Sequence, residues 1–281
     1  MWPELVKCEG RLVRELSEPE IRSLQVGCLQ AVAGVCDRLG ITYMLDFGTL
    51  LGARRHGGFI PWDDDIDISM PTEDYYAFLI AANEHLPQRY RVSLNPHGER
   101  FMKVCILGTR IVENSSLLDP ANASGCLYID VFEMAAYRNI TRGRGLARRA
   151  SYVSHIHATS RKHARQLWTK DRAKAAILFA MSFVPLSLVQ RLPKRLLEAD
   201  APMSPATPLG HSFGTGFGPE YFPYGDVFPL RSIEFEGVQY PAPQDVDAYL
   251  TLRYGDWQIP PPAGARSKHI LSAAIDDDWA P

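Results

Sequence analysis

The sequence predicts a mixed α/β protein, an α+β arrangement of one mixed sheet with helices around it, on three observations. Apolar residues recur at helical spacing between Ser17 and Leu39. The stretch Asp65-Ile66-Asp67-Ile68 alternates acid and aliphatic with the period of a strand. Short apolar runs at 90–94, 101–107 and 127–132 read as further strands.

Taken in order, Ser17-Glu18-Pro19-Glu20 has the spacing of a capping box, and Ile21, Leu24, Cys28, Ala31, Val35 and Leu39 form an apolar stripe that Gly40 ends. Residues 41–45 read as a short buried strand, Gly48-Thr49 as a small-residue turn, and 50–55 as the start of a helix. Asp65 and Asp67 then fall on one face of a strand, and Thr72 caps a helix over 75–84. Residues 201–225, rich in Pro and Gly, read as a loop, 232–240 as a strand pair, and 244–254 as a helix stopped by Gly255. The tail, with Asp276-Asp277-Asp278, has no clear period and reads as an exposed acidic end. The expected organisation is a catalytic core over 1–137, a basic helical insertion over 138–200, and the C-terminal part of the same domain over 201–281.

With 46% hydrophobic residues and a net charge of -2, the chain can bury one sizeable core, which excludes disorder, collagen and a disulfide miniprotein. Cys8, Cys28, Cys36, Cys105 and Cys126 make no C-x-x-C pair, so a structural zinc site is not expected and a reducing compartment is. Met1-Trp2-Pro3-Glu4 lacks a basic stretch followed by an apolar run, and a cytoplasmic location follows as the expectation. Residues 138–174 concentrate Arg and Lys against the single acid Asp171. The apolar run after them is interrupted by Pro185 and falls short of the roughly 20 residues a membrane span needs. Packing of this segment on the core is the favoured reading, and a peripheral membrane contact through 138–190, at the inner face, is the other. His155, His157 and His163 do not share one helical face for a metal. Nucleic acid is not an expected partner, because only Tyr152 and Trp168 interleave the basic residues as stacking surfaces.

The chemistry concentrates between Asp46 and Ile68. Gly48 and Thr49 at a helix start offer backbone N–H groups and a hydroxyl without bulk, which suits phosphate. Asp65 and Asp67 form a hard oxygen pair suited to Mg²⁺ or Mn²⁺. A surface acidic loop is the commoner explanation of D-x-D, but Asp67 lies between Ile66 and Ile68, and unpaired buried carboxylates are costly. Asp130 repeats the pattern in Leu127-Tyr128-Ile129-Asp130-Val131-Phe132, so three carboxylates converge if the two strands are neighbours. A small-residue turn, a D-x-D strand and a later single-acid strand make the layout of a nucleotidyltransferase-like fold.

The run Gly48-Thr49-Leu50-Leu51-Gly52-Ala53, with Arg55-His56 and Gly58-Phe59-Ile60-Pro61-Trp62-Asp63-Asp64-Asp65-Ile66-Asp67-Ile68, resembles the signature of the LicD family. That family includes bacterial phosphocholine transferases and is related to the fukutin group of ribitol-phosphate transferases. Phe101-Met102-Lys103-Val104, the Asp130 strand, the stretch from Phe228 to Gly237, Tyr249-Leu250, Tyr254-Gly255-Asp256 and His269 resemble later landmarks. Two positions depart from the pattern: Phe47, where Gly or Tyr is often seen, and Phe132-Glu133, where the family tends to have Phe-Pro.

The resemblance implies transfer of a phospho-alcohol group, phosphocholine first, from a CDP-linked donor such as CDP-choline to a hydroxyl of a cell-surface glycan or glycolipid, releasing CMP. It implies Asp65, Asp67 and Asp130 as metal-holding and catalytic acids, Asp130 being a ligand or the base with Asp63 second in the latter role. Gly48 and Thr49 would contact donor phosphate, Arg55 and Lys103 would neutralise it, and His56 and His269 would lie at the substrate. Arg55 is as readily a structural partner of a nearby acid, and Trp62 is expected to pack beneath the acidic loop. Choline would want an aromatic cage, for which Phe47, Tyr128, Phe217, Tyr221, Phe222 and Tyr224 are available. Ribitol or glycerol would want polar groups such as Ser212, Thr215 and Asp226. The competing readings are nucleotidyl transfer from an NTP, a metal-dependent glycosyltransferase, and a silent scaffold that binds polyanion or membrane.

Overall fold

The structure, a computed structural model, describes residues 5–8, 11–94, 101–114, 125–137, 176, 203–211, 221–262, 264, 266 and 268–276. The basic tract and the apolar run that follows it lie almost wholly outside the described residues, as do Ser212, Thr215, Phe217, Asp277 and Asp278.

Two strands precede the first helix, β1 (Leu5–Cys8) and β2 (Arg11–Glu15), where the sequence carries no strong strand signal. Helix α1 (Glu18–Leu39) begins as expected, with the Ser17–Glu20 capping box formed and Gly40 closing it at φ 66°. Its stripe of Cys28, Leu29, Val32, Val35 and Cys36 is buried against the sheet. Each large aliphatic side chain so buried contributes about 1.5–3 kcal/mol. Strand β3 is confined to Met44–Leu45, and helix α2 (Phe47–His56) starts three residues before the expected helix, because Asp46 caps it by accepting the Phe47 N–H.

Strand β4 (Asp67–Pro71) begins at Asp67, so Asp65 lies in the preceding loop and the two acids do not share a strand face. Helix α3 (Thr72–His85) follows directly, with Thr72 its first helical residue and Pro71 in the capping position. Strands β5 (Tyr90–Leu94), β6 (Phe101–Glu113) and β7 (Gly125–Ala136) complete the centre, the last two longer than their apolar cores suggest. The stretch expected as a loop contains β8 (Leu209–His211), β9 (Tyr221–Phe222) and the single turn α4 (Tyr224–Val227). The hairpin β10 (Arg231–Phe235) and β11 (Val238–Ala242), then α5 (Val246–Tyr254), appear where expected. The tail is a strand, β12 (Ile270–Asp276), and Asp276 pairs with Arg110 at 3.5 Å instead of extending into solvent.

The main sheet runs β1-β2-β12-β6-β7-β4-β3, with β5 on β6 and β8-β9 continuing from β7. All its pairings are antiparallel except that of β4 with β7. Register in these central strands sets the site: Asp67 is opposite Asp130, and Asp130 is opposite Lys103. Cys105 and Cys126, on β6 and β7, are joined as a disulfide, so the cysteine pattern no longer argues for a reducing compartment; scatter in sequence says nothing about adjacency across strands. No described helix is long and apolar enough to cross a membrane.

Candidate active site

The acidic loop is pinned from below by α1. Arg22 Nη2 donates to the carbonyls of Ile60 (3.3 Å), Pro61 (3.1 Å) and Asp63 (3.1 Å), and the buried Gln25 Nε2 donates to the Asp64 carbonyl at 2.9 Å. From the C-terminal side, the Asp64 carboxylate accepts the backbone N–H groups of His269 (3.0 Å) and Ile270 (2.8 Å). Asp64 is thereby a structural clasp, and its neighbours Asp63 and Asp65 are left facing the site. A carboxylate oxygen from each of Asp63, Asp64 and Asp65 lies within 4.8 Å of the others.

Burial, then the charges of Asp65 and Asp64, push the Asp63 carboxyl up to about 8. Asp67, 8% exposed, is raised well above the usual carboxylate range by burial first and then by Asp65, Asp130 and Asp63. Such mutual repulsion among acids is what a hard divalent cation relieves; among the described residues the carboxylates that all lie within reach of one ion are those of Asp63, Asp64 and Asp65, a set that includes the expected Asp65 but neither Asp67 nor Asp130. Asp130 is also within 3.7 Å of Lys103 Nζ, which sits 3.7 Å from Glu113 and 3.2 Å from the centre of the Tyr128 ring. The Tyr128 hydroxyl in turn donates to Glu113.

Opposite the acids stands the start of α2. Thr49 is buried, and its Oγ1 accepts the Asp67 N–H at 2.8 Å, tying the turn to the acid strand. A side chain on Gly48 would collide with the Asp63 carboxylate and displace it. A Cβ on Gly52 would collide with the Gly58 carbonyl, and one on Gly58 with the Glu236 carboxylate. Glu236, at the tip of the β10–β11 hairpin, accepts the Phe59 N–H at 3.0 Å and so braces the loop from outside.

Among the described residues Arg55 pairs with no acid: its Nη1 donates to the Trp257 carbonyl at 2.8 Å and its Nε to His56 Nε2 at 3.0 Å. Burial and the Arg55 charge lower the His56 pKa. Trp62 is half-buried at the core edge, with Arg266 4.0 Å and Arg55 5.9 Å from its ring centre. His269 is exposed, with Nε2 4.0 Å from Asp65. Asp63, Asp65, Asp67, Gly48 and Thr49 therefore lie at the N-terminal end of β4, with Asp130 beside Asp67 in the middle of β7, Lys103 next to Asp130 and His269 near Asp65, while Arg55 and His56 lie at the far end of α2.

Sequence reasoning missed a buried polar network behind this site. Asp46 is fully buried and accepts from Phe47 N (2.7 Å), Ser69 Oγ (2.5 Å) and Tyr249 OH (2.9 Å), with His211 Nε2 at 2.8 Å and Arg253 Nη2 at 3.5 Å. Burial alone would raise its carboxyl, but Arg253, His211 and these hydrogen bonds hold it below the usual range. Arg253 Nη2 lies 3.2 Å from His211 Nδ1, so the imidazole bridges the Asp46 carboxylate and the guanidinium. The one sequence signal was Asp46 itself, an acid directly after an apolar strand; its partners come from remote segments. Gln25 was legible as a polar residue on the apolar face of α1.

The fold and site together define a mixed α/β protein that gathers carboxylates at the start of one strand and in the loop before it, beside an acid of the parallel neighbouring strand and against the N-terminal turn of a helix. The chain belongs to the LicD family: residues 40–190, more than half of it, match the family model described as LicD/FKTN/FKRP, nucleotidyltransferase domain. It is 24% identical to the lipopolysaccharide cholinephosphotransferase LicD of Haemophilus influenzae, over 91% of this chain and 98% of that one. It is 51% identical over 80 residues to the human ribitol 5-phosphate transferase FKRP, which is 25% of this chain and 16% of FKRP. An uncharacterized protein of Rickettsia prowazekii is 42% identical over 65 residues, 23% of each chain.

Proposed function

We propose that the protein is a metal-dependent transferase that moves a phospho-alcohol group from a CDP-linked donor to a glycan or glycolipid hydroxyl, releasing CMP, on a core of nucleotidyltransferase type. The observation that supports this is the cluster of Asp63, Asp64 and Asp65 against the glycine turn of α2, electrostatically coupled to Asp67 and its strand neighbour Asp130, in a member of the LicD family. The end-to-end similarity to a cholinephosphotransferase supports phosphocholine as the group transferred.

Asp65, Asp67 and Asp130, with Asp63, would hold Mg²⁺ or Mn²⁺, which when bound supplies charge neutralisation to the pyrophosphate oxygens. The N–H groups at Gly48 and Thr49, at the positive end of the α2 dipole, would be offered to donor phosphate. Lys103, fixed between Glu113 and Asp130, adds a positive charge to the same end of the sheet. A carboxylate would take the proton of the attacking hydroxyl, with Asp130 the first candidate and Asp63 the second. Positioning and charge do most of the work in such a displacement.

A second donor, CDP-ribitol, is favoured by the aromatic residues. The faces of Phe47 and Tyr128 already carry Arg253 at 3.9 Å and Lys103 at 3.2 Å, Phe222 stacks on Tyr249, and Tyr224 packs on Phe228. These rings are engaged by the protein itself, which leaves less surface for a quaternary ammonium. The test is CMP release from CDP-choline, CDP-ribitol and CDP-glycerol with Mg²⁺ and with EDTA. Metal-dependent release from one of them establishes the reaction and names the group. No release from any, with NTP or nucleotide-sugar turnover instead, overturns it.

A further inference from the structure

The geometry points to a positioning role for Arg253, Phe47 and Asp46: the Arg253 guanidinium, anchored on the Asp46 carboxylate, clamps the Phe47 ring and holds the backbone of Phe47 in the left-handed region that aims the Gly48-Thr49 turn at the donor. Phe47 has φ 43°, a conformation L side chains rarely adopt, immediately before the turn assigned to donor phosphate. Such strain persists only where the surroundings over-determine it. Here they do. The Phe47 N–H is held by Asp46, and its ring lies 4.6 Å from Phe132, 4.8 Å from His211 and 3.9 Å from the Arg253 guanidinium.

Arg253 is 6% exposed, reaches Tyr249 OH and His211 Nδ1 at 3.2 Å each, and stands on α5, some 200 residues along the chain from the turn it braces. Asp46 closes the circuit. Its N–H donates to the Asp67 carbonyl at 3.1 Å, and its carboxylate binds Ser69, two residues beyond Asp67 on β4. One buried carboxylate thus ties the helix start, the acid strand, β8 and α5 into a single unit. None of these side chains is placed to touch substrate; they act through the turn.

The inference rests on the proposed transferase reading for what the turn binds, and the experiment separates the two. In the full-length protein, Phe47→Ala removes the ring but keeps the backbone penalty, whereas Phe47→Gly removes both. Phe47→Ala is expected to raise donor KM about tenfold with kcat within about threefold, and Phe47→Gly, which loses the clamp but carries no φ penalty, to raise KM by a smaller factor of about threefold. Arg253→Lys and Arg253→Met are expected to raise amide exchange over 47–50 about tenfold while β6 and β7 keep their protection. Equal KM losses for Phe47→Ala and Phe47→Gly, or unchanged exchange over 47–50 in Arg253→Lys, overturn the role and leave only core packing. Should Arg253→Met fail to fold, the lysine variant and the Phe47 pair still decide. A wild type that releases CMP from no CDP donor sinks the transferase reading, and amide exchange then decides the positioning role by itself.

Discussion

Asp67 illustrates how much one residue is asked to do. It is buried, repelled by Asp65, Asp130 and Asp63, and held at its backbone by Thr49, so its charge is a liability until a cation arrives. Asp67→Asn removes the charge and keeps the shape. CMP release is expected to vanish while the melting temperature in EDTA is unchanged or higher, and an active Asp67→Asn enzyme would refute the metal assignment. Asp63 sets a pH dependence. Its folded value of about 8 is above the ordinary 3.8, so the folded state holds its proton more tightly than the unfolded chain. Its stabilising share is therefore full below 3.8 and is lost as pH rises through about 8. In EDTA the wild type is expected to lose melting temperature relative to Asp63→Asn between about pH 5 and about pH 9. Added Mg²⁺ should reverse that loss, since metal binding favours the ionised form.

At the scale of elements, the site depends on close approach between α2 and the loop after it. Gly52 lies on the buried side of α2, against the Gly58 carbonyl, and both are followed by the bracing Glu236–Phe59 hydrogen bond. Gly52→Ala would ordinarily favour a helix, yet here the added methyl meets backbone that cannot yield cheaply. A net loss of about 1–3 kcal/mol is expected from this overpacking, read as a lower denaturant midpoint with unchanged slope. A rise in stability would show that the loop can move away. The hairpin itself was legible from its alternating residues, and its turn was not, because Glu236 takes φ 51° to reach Phe59.

For the whole molecule, the tail is the least expected component. Strand β12 lies between β2 and β6, and its first residue, Ile270, with His269 just before it, supplies the N–H groups that hold Asp64. A chain ending at residue 268 would expose two strand edges and leave Asp64 buried without its backbone donors. Such a truncation is expected to abolish a cooperative thermal transition and, with it, CMP release; a sharp transition in the truncated protein would make β12 an accessory. The acidic reading of the tail failed because Ile270, Ala273 and Ile275 alternate too weakly to show a period, and only the vacant edges of β2 and β6 give them partners.

The sequence by itself determined the mixed α/β class, the capped first helix, and the glycine turn and acids that carry the family resemblance, because these rest on spacing along a few adjacent residues. It could not place Asp65 off the strand, since strand and loop read alike over a four-residue alternation. Tertiary structure alone decided that Asp130 and Lys103 lie in register with Asp67, that Cys105 meets Cys126, and that Asp46 collects partners from β4, β8 and α5. These pairings join residues up to two hundred positions apart. They exist only where burial leaves a charge no water to turn to, so that the fold must bring it a partner.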